Sequence, residues 1–265
     1  MINKPMVGVA ALVVVVAGGG WYYLHSRNSS LPRVPSAAQP APAPAPVGEP
    51  AIAHPLPAAQ GDSASQAPLP ALEDSDAALG GALAEVAGAA ALKDYLMPEN
   101  MIRRMVVTID NLPRQKVAVD KRPTRSLAGS FIAAGDELHA TLDQRNFQRY
   151  QPLVAVIQSI DMRKLAAVYI HFYPLFQRTY QDLGYPNGYF NDRLVQVIDV
   201  LLAAPQPAAP ALIRPNVMYT FADPALEKLP AGQKLLIRMG PDNATAIKAK
   251  LKELRTLITA APPQR

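Results

Sequence analysis

The hydrophobic and polar positions along the chain divide it into three parts of different character. Residues 6–24 form an uncharged apolar run, which is long enough for a membrane-spanning helix because such a helix needs about 20 apolar residues. Residues 31–70 carry closely spaced prolines and few large aliphatic side chains, so this part gains little from a packed core. From residue 72 onward, apolar residues recur every three or four positions, a spacing typical of amphipathic helices.

Helical periodicity predicts a domain that is mostly α. Three stripes place apolar side chains on one face of a helix, the arrangement expected of a helix that packs against a core. The stripes consist of Ile102, Met105, Val106, Ile109 and Leu112; of Leu194, Val197, Ile198, Leu201 and Leu202; and of Ile247, Leu251, Leu254 and Ile258. We expect all three to be buried.

Prolines and short polar residues predict where several helices begin. We expect Pro98 with Glu99 to open the helix of the first stripe, and Pro152 to open another helix, since proline fits the first helical turn. Asp161 and Asn191 are expected to cap the helices that follow them, because their side chains accept hydrogen bonds from first-turn N–H groups.

Two short β units are predicted beside the helices. The stretch FIAAGDELHATL (131–142) favours a hairpin with its turn at Gly135-Asp136. We expect NVMYTFADP (216–224) and QKLLIRMG (233–240) to pair as a second antiparallel unit. The predicted fold class is therefore mostly α with minor β: an N-terminal transmembrane helix, a disordered Pro/Ala-rich linker, and one compact helical domain with a small β-hairpin or two-stranded unit.

The N-terminal apolar run favours a retained membrane anchor. The residues assigned to it are its two ends and an aromatic belt suited to the membrane interface: Met6, Leu24, Trp21, Tyr22 and Tyr23. The alternative is a signal peptide cleaved after Ala17 or Gly19. Bulky aromatic residues follow those sites, and the run exceeds the usual apolar region of about 7–15 residues, so the anchor is favoured.

We expect a single-pass protein of a bacterial inner membrane, with a cytoplasmic N-terminus and a periplasmic C-terminal domain. The predicted divisions are a cytoplasmic tail (1–5), a transmembrane anchor (6–24), a Pro/Ala-rich disordered linker (25–71), a folded periplasmic domain (72–260) and a disordered tail (261–265). The reversed orientation, with a cytosolic domain, stays open because the amino terminus and Lys4 on one side are balanced by Arg27 and Arg33 on the other.

Composition removes several classes of function. The 265 residues include no cysteine and carry a net charge of +5, so disulfides, thiolate metal sites and a cysteine nucleophile are excluded. One segment is notably basic and is interpreted as a solvated loop, with a site for an anionic polymer or lipid headgroup as the alternative: Arg103, Arg104, Arg114, Lys116, Lys121, Arg122 and Arg125. Nucleic acid is not expected as a partner, because the chain has no recognisable binding motif.

Two stretches carry a resemblance to a known family. VVTIDNLPR (106–114) and YPLFQRTYQDLGYPNGYFNDRLVQVIDVLLAAP (173–205) resemble the proteobacterial envelope family catalogued as domain of unknown function 3014. The layout is similar as well, with one apolar segment, a Pro/Ala-rich stretch and a single domain, and the resemblance extends over about residues 72–260. It implies an anchored envelope protein and supplies no catalytic residue.

The second of these stretches contains the best candidate binding residues. Tyrosine rings stack on sugars and peptides, while neighbouring amides and charges form hydrogen bonds. The candidates are Tyr173, Gln177, Tyr180, Tyr185, Asn187, Tyr189, Asp192 and Arg193. The alternative interpretation is a helical hairpin whose tyrosines pack internally.

No catalytic signature stands out in the sequence. His171 and His139 are interpreted as structural, since neither has a second histidine at metal-binding spacing. Catalytic residues stay unknown, and no metal or other cofactor is expected. A carboxylate pair for glycoside hydrolysis is defined by distance in space and stays open.

The expected function is a periplasmic binding or interaction domain presented on a polyproline-like spacer by a single-pass membrane protein. The expected partners are the lipid bilayer through residues 6–24 and an envelope protein or peptidoglycan. The alternative is a cell-envelope hydrolase that acts on glycan or peptide.

Overall fold

The structure is a computed structural model that describes residues 51–57, 68–136, 139–215 and 218–259. Its helices are α1 (Ser75–Ala87), α2 (Ala89–Tyr95), α3 (Met101–Asn111), α4 (Arg145–Ser159), α5 (Met162–Asp182), α6 (Phe190–Leu202), α7 (Pro224–Glu227), α8 (Ala231–Met239) and α9 (Pro241–Leu257). Its strands are β1 (Ala133–Ala134), β2 (Thr141–Leu142), β3 (Leu212–Ile213) and β4 (Thr220–Phe221). The described chain is mostly helical with two small two-stranded antiparallel sheets, as the periodicity predicted.

Helix α9 lies at the centre of the helical core. It packs against α4, α5, α6 and α8, while α3 packs against α5 and α6. The three predicted apolar stripes, on α3, α6 and α9, face this core, and every member is buried except Leu202, which is half-buried. Because burying one such side chain stabilises a fold by about 1.5–3 kcal/mol, these stripes decide how the helices assemble.

Helix α3 begins at Met101, after the expected start at Pro98. Its start is stabilised from another helix: the Asp76 carboxylate of α1 accepts the N–H of Asn100 at 2.6 Å and that of Met101 at 2.8 Å. Asn100 has a left-handed backbone, with φ of 53°, which separates Pro98 and Glu99 from the helix. A cap supplied by a residue so far away in sequence leaves no local signal.

Helix α4 begins at Arg145, so the prediction that Pro152 opens it is wrong. Pro152 lies inside the helix, where it lacks the N–H of a normal helical residue. The half of the helix before it is held by other contacts, because Asn146 and Tyr150 are buried and the Asp143 carboxylate accepts the Arg145 N–H at 2.7 Å. These contacts offset the hydrogen bond that proline cannot donate.

The predicted hairpin at 131–142 is confirmed. Ala133 pairs with Leu142 and Ala134 pairs with Thr141 in an antiparallel register. Gly135 follows β1 with φ of +91°, a backbone conformation that glycine adopts without steric cost.

The second predicted β unit is wrong in one of its two strands. Strand β4 pairs with β3 (Leu212–Ile213), and the stretch QKLLIRMG (233–240) forms helix α8 instead. Residues 233–237 and Met239 are all buried, so the helix is enclosed on most sides. A short apolar run of this kind cannot be distinguished from a buried strand by periodicity.

Residues 51–57, which we call the strap, lie against the domain although they fall within the predicted linker (25–71). Leu56 packs against the helical core, so contact with the domain begins before the expected boundary at 72. The rest of that linker up to residue 50, the segment 58–67, the anchor at 6–24 and both predicted tails lie outside the described residues. In the part of the chain that the structure describes, no helix has the length and apolar character needed to cross a bilayer.

Candidate interaction cleft

A tight turn that contains YPNG (185–188) joins α5 to α6. Gly184 ends α5 with φ of +112°, and the Gly188 N–H donates to the Tyr185 carbonyl at 2.9 Å. The side chain of Gln177 holds the turn from inside, since its Nε2 donates to the Gly188 carbonyl at 2.7 Å and its Oε1 accepts the Phe190 N–H at 2.8 Å. The turn is therefore fixed to α5.

An open cleft of about 480 Å³ lies beside this turn. Five of its lining residues were candidates from the sequence: Tyr180, Tyr185, Tyr189, Asp192 and Arg193. The others come from the strap, from α3 and from the next turn of α6: Ala53, His54, Asp110 and Gln196. The cleft thus joins three regions that are distant in sequence.

Asp110 carries the central charge of the cleft. Its side chain is 2 % exposed, and Oδ1 accepts a hydrogen bond from Arg193 Nε at 3.0 Å. Oδ2 accepts from Arg114 Nη2 at 2.7 Å and from the Tyr185 hydroxyl at 3.3 Å. A buried carboxylate is tolerated when it is paired and hydrogen-bonded in this way.

Asp110 is not among the site residues predicted from the sequence, although its position carries a signal. Asp110 lies four residues after Val106 of the apolar stripe and four before Arg114. An acid on the apolar side of a helix, with a base one turn further on, indicates a partnered buried charge. By contrast, the strap residues Ala53 and His54 have no sequence feature that marks them.

Two tyrosine rings form one wall of the cleft. Tyr180 and Tyr185 stack with their centroids 4.5 Å apart and their planes at 16°. Burial raises the pKa of Tyr180, and the nearby Arg193 acts in the opposite direction. The Tyr185 hydroxyl also accepts from Arg114 Nη2 at 3.2 Å, so this wall is held in place by the same charged cluster.

The remaining candidates do not line the cleft. The Tyr173 hydroxyl donates to Gln177 Oε1 at 2.9 Å, and burial raises the pKa of Tyr173. These two residues support the turn from within the α5–α6 hairpin, as the alternative interpretation proposed. Asn187 is exposed at the tip of the turn.

The prediction that Asn191 caps α6 is wrong. The helix begins one residue earlier, at Phe190, and the Asn191 side chain points inward, where the residue is 1 % exposed. Its Nδ2 donates to the carbonyls of His54 at 2.7 Å and of Ile258 at 3.0 Å, while its Oδ1 accepts from the Tyr169 hydroxyl at 3.0 Å. Burial raises the pKa of Tyr169 well above its ordinary value. Asn191 therefore joins the strap to α5 and to the end of α9.

The Asp192 carboxylate binds main-chain N–H groups of the strap. Oδ2 accepts the Ala53 N–H at 3.0 Å and Oδ1 accepts the His54 N–H at 2.6 Å. The carboxylate belongs to the first turn of α6, where the helix dipole favours a negative charge. Both oxygens of Asp192 are thus used in positioning the strap.

Of the two histidines singled out in the sequence, His171 is half-buried and His139 is exposed. The His171 ring meets Phe172 edge-on, with centroids 4.9 Å apart. His139 Nδ1 lies 3.1 Å from the Asp136 carboxylate in an exposed position. Among residues 51–57, 68–136, 139–215 and 218–259, no group of His, Cys, Asp and Glu is arranged to hold a metal ion.

Two arginines of the basic segment hold a loop in place. Arg104 donates to the carbonyls of Asp120 and Arg122, both at 3.1 Å. Arg125 donates from Nε to the Lys93 carbonyl at 3.0 Å. Both side chains use their donors on main-chain carbonyls, a structural role that the charge pattern alone does not indicate.

Comparison with known proteins gives one finding. The model of the family described as "Protein of unknown function (DUF3014)" matches residues 101–255, which include the two stretches that carried the resemblance and most of the cleft. Neither a curated protein nor a solved structure matches the chain.

Proposed function

The chain belongs to the DUF3014 family, and we propose that it is a single-pass inner-membrane protein that presents a periplasmic protein-interaction domain on a proline-rich spacer. The apolar run at 6–24 and the prolines of 31–70 support the anchor and the spacer. The folded domain then meets partners in the envelope at a distance from the bilayer.

The cleft is the observation that carries this proposal. It offers two stacked tyrosine rings, a third tyrosine (Tyr189), the exposed amide of Gln196 and a charged pair at its base. Aromatic rings with adjacent hydrogen-bonding groups are typical of surfaces that bind proteins. One edge of the cleft is formed by the strap, an extended peptide segment that is held through its main chain. This arrangement favours a protein segment over a glycan as the partner.

Hydrolysis is the second candidate function because two carboxylates, those of Asp110 and Asp192, line the same cleft. Each is already engaged: Asp110 by Arg193 and Arg114, and Asp192 by the strap. A general acid or base must reach the proton that it transfers, so these contacts favour the interaction role. Cleavage of purified peptidoglycan by the wild-type chain, abolished in Asp110→Asn, would reverse this preference.

Fusion of alkaline phosphatase after residue 70 tests the orientation. The reporter is active only outside the cytoplasm, so the proposal expects an active fusion. A second fusion, placed after residue 5, is the matched control and should be inactive. An inactive fusion after residue 70 would place the domain in the cytosol and overturn the envelope role.

Photocrosslinking in living cells tests the cleft. A benzophenone amino acid in place of Gln196 should give a discrete protein adduct, which Tyr189→Ala should remove. The same amino acid in place of Gln206, an exposed residue outside the cleft, is the control. Equal labelling from both positions would contradict the proposal. Retention on purified sacculi that depends on Tyr189, without a protein adduct, would replace the protein partner with a glycan.

A further inference from the structure

The strap is bound mainly through its main chain and makes little use of its side chains. Its three hydrogen bonds to α6 all involve its main chain: the N–H groups of Ala53 and His54 and the carbonyl of His54. Ile52 is 50 % exposed, whereas Leu56 packs against the core. Main-chain hydrogen bonds with one apolar anchor are the means by which domains bind extended peptides of varied sequence.

The polar groups of α6 that hold the strap are themselves positioned by the rest of the domain. Asn191 is fixed by the Tyr169 hydroxyl and the Ile258 carbonyl, and Asp192 lies in the first turn of a helix. A peptide that binds there therefore meets an acceptor pair and a donor already in position. Such preorganisation lowers the entropy lost on binding.

The strap also has the composition of a peptide ligand with little flexibility. Pro55 and Pro57 flank the Leu56 anchor, and each proline restricts its own backbone and that of the residue before it. An extended segment that is stiff when free binds with a smaller loss of conformational entropy.

We propose that the first turn of α6 is a peptide-binding site, which the strap occupies within the chain and which an extended segment of a partner protein, carrying a leucine between prolines, occupies in its place. This inference rests on the proposed function and names the chemistry of the partner. The site is adjacent to the cleft, since Ala53, His54 and Asp192 line both. Exchange of the strap for a partner segment would therefore also remodel one wall of the cleft.

The strap competes strongly because it is part of the same chain. A tethered segment acts at an effective concentration on the order of millimolar. The affinity measured for a free peptide is the intrinsic affinity multiplied by the fraction of sites that the strap leaves open. Weakening the strap should therefore strengthen the binding of a free peptide. That reversal distinguishes a binding site from a merely structural contact.

The test measures binding of a fluorescent peptide, Ala-Ile-Ala-His-Pro-Leu-Pro, to the full chain in detergent by fluorescence anisotropy. Ala53→Pro removes the N–H that donates to Asp192, and this variant should bind the peptide about tenfold more tightly than the wild type, as expected for one lost charge-assisted hydrogen bond. Leu56→Ala removes the apolar contact between the strap and the core, and it should also strengthen binding of the free peptide. Ala51→Pro, at a residue with no hydrogen bond to the described chain, should bind as the wild type does.

Two changes in the Ala53→Pro background test where the peptide binds. Asp192→Asn replaces one acceptor oxygen and should weaken binding about tenfold or more. Asp199→Asn, two turns further along α6 and paired with Arg255, should leave binding unchanged. Equal peptide affinity for the wild type and for both strap variants, or binding that survives Asp192→Asn, would overturn the inference.

The outcome is separable from that of the proposed function. Suppose that no folded variant binds the peptide but the benzophenone amino acid at position 196 still gives its protein adduct. The peptide site is then rejected, and the interaction domain stands. If the adduct is absent while the peptide binds as expected, the site on α6 stands and the cleft loses its assigned role.

Discussion

Arg193 contacts Asp110 twice, with Nε 3.0 Å from the carboxylate and Nη2 2.7 Å from the main-chain carbonyl. The guanidinium therefore links the first turn of α6 to the last turn of α3. Asp110 is 2 % exposed and the Arg193 side chain 18 %, so the pair is largely shielded from water. Removing one partner leaves the other charge poorly solvated.

Replacing Asp110 by alanine should lower the free energy of unfolding by about 3 kcal/mol, the cost typical of breaking a buried ion pair by removing one partner. Urea unfolding followed by circular dichroism measures the loss. Asp199→Ala is the control, because its pair with Arg255 is exposed on both sides and should contribute less than about 1 kcal/mol. Similar losses in both variants would show that Asp110 is not a structural charge.

Replacing Gly240 by alanine should destabilise the domain by about 1–3 kcal/mol, the range for overpacking a core. Gly240 has φ of +87°, and a Cβ there would lie 2.5 Å from Cγ of the Phe147 ring. Gly81→Ala is the opposite case, since nothing lies within 4 Å of its Cβ position inside α1, and it should stabilise by up to about 1 kcal/mol. Thermal unfolding of the two variants should therefore shift in opposite directions.

Replacing Thr108 by valine should stabilise the domain by about 1 kcal/mol. The Thr108 hydroxyl is buried and has no hydrogen-bond partner within the described chain, so its polar group is desolvated without compensation. Thr179→Val is the comparison, because that hydroxyl donates to the Leu175 carbonyl at 2.8 Å. A gain in the second variant and none in the first, measured by urea unfolding, would contradict the assignment.

We expect Tyr169 to lower the stability of the domain at high pH. Burial raises its folded-state pKa well above 10.0, whereas in the unfolded chain it ionises near that value. Above pH 10 the folded state therefore binds more protons at this residue than the unfolded state, so stability falls as pH rises. Tyr169→Phe should show a shallower fall between about pH 9 and 11.5 in urea titrations. An identical slope in both proteins would show that Tyr169 does not contribute.

The amphipathic helices were predictable from the sequence because one face of each is exposed to solvent. Helix α9 places buried Ile247 and Leu251 four positions apart, with half-buried or exposed residues between them, which gives the three-to-four spacing that periodicity detects. Helix α8 is enclosed on most sides, so that spacing is lost and its apolar run was interpreted as a strand. The difference lies in the surroundings of each helix, which one sequence does not contain.

The tyrosine side of the cleft was predictable, and the rest was not, for a related reason. Tyr185, Tyr189 and Asp192 lie within one turn and the helix start after it, so local chemistry selected them. Ala53 lies 139 residues from Asp192, and its contribution is a main-chain N–H that every residue except proline has. Such a contact depends on the path of the chain through the fold.

Asn191 couples the strap to the far end of the helical core. Its Nδ2 donates both to the His54 carbonyl of the strap and to the Ile258 carbonyl just after α9. A change that displaces Ile258 therefore also disturbs the amide that holds the strap. The two ends of the described domain thus depend on one buried side chain.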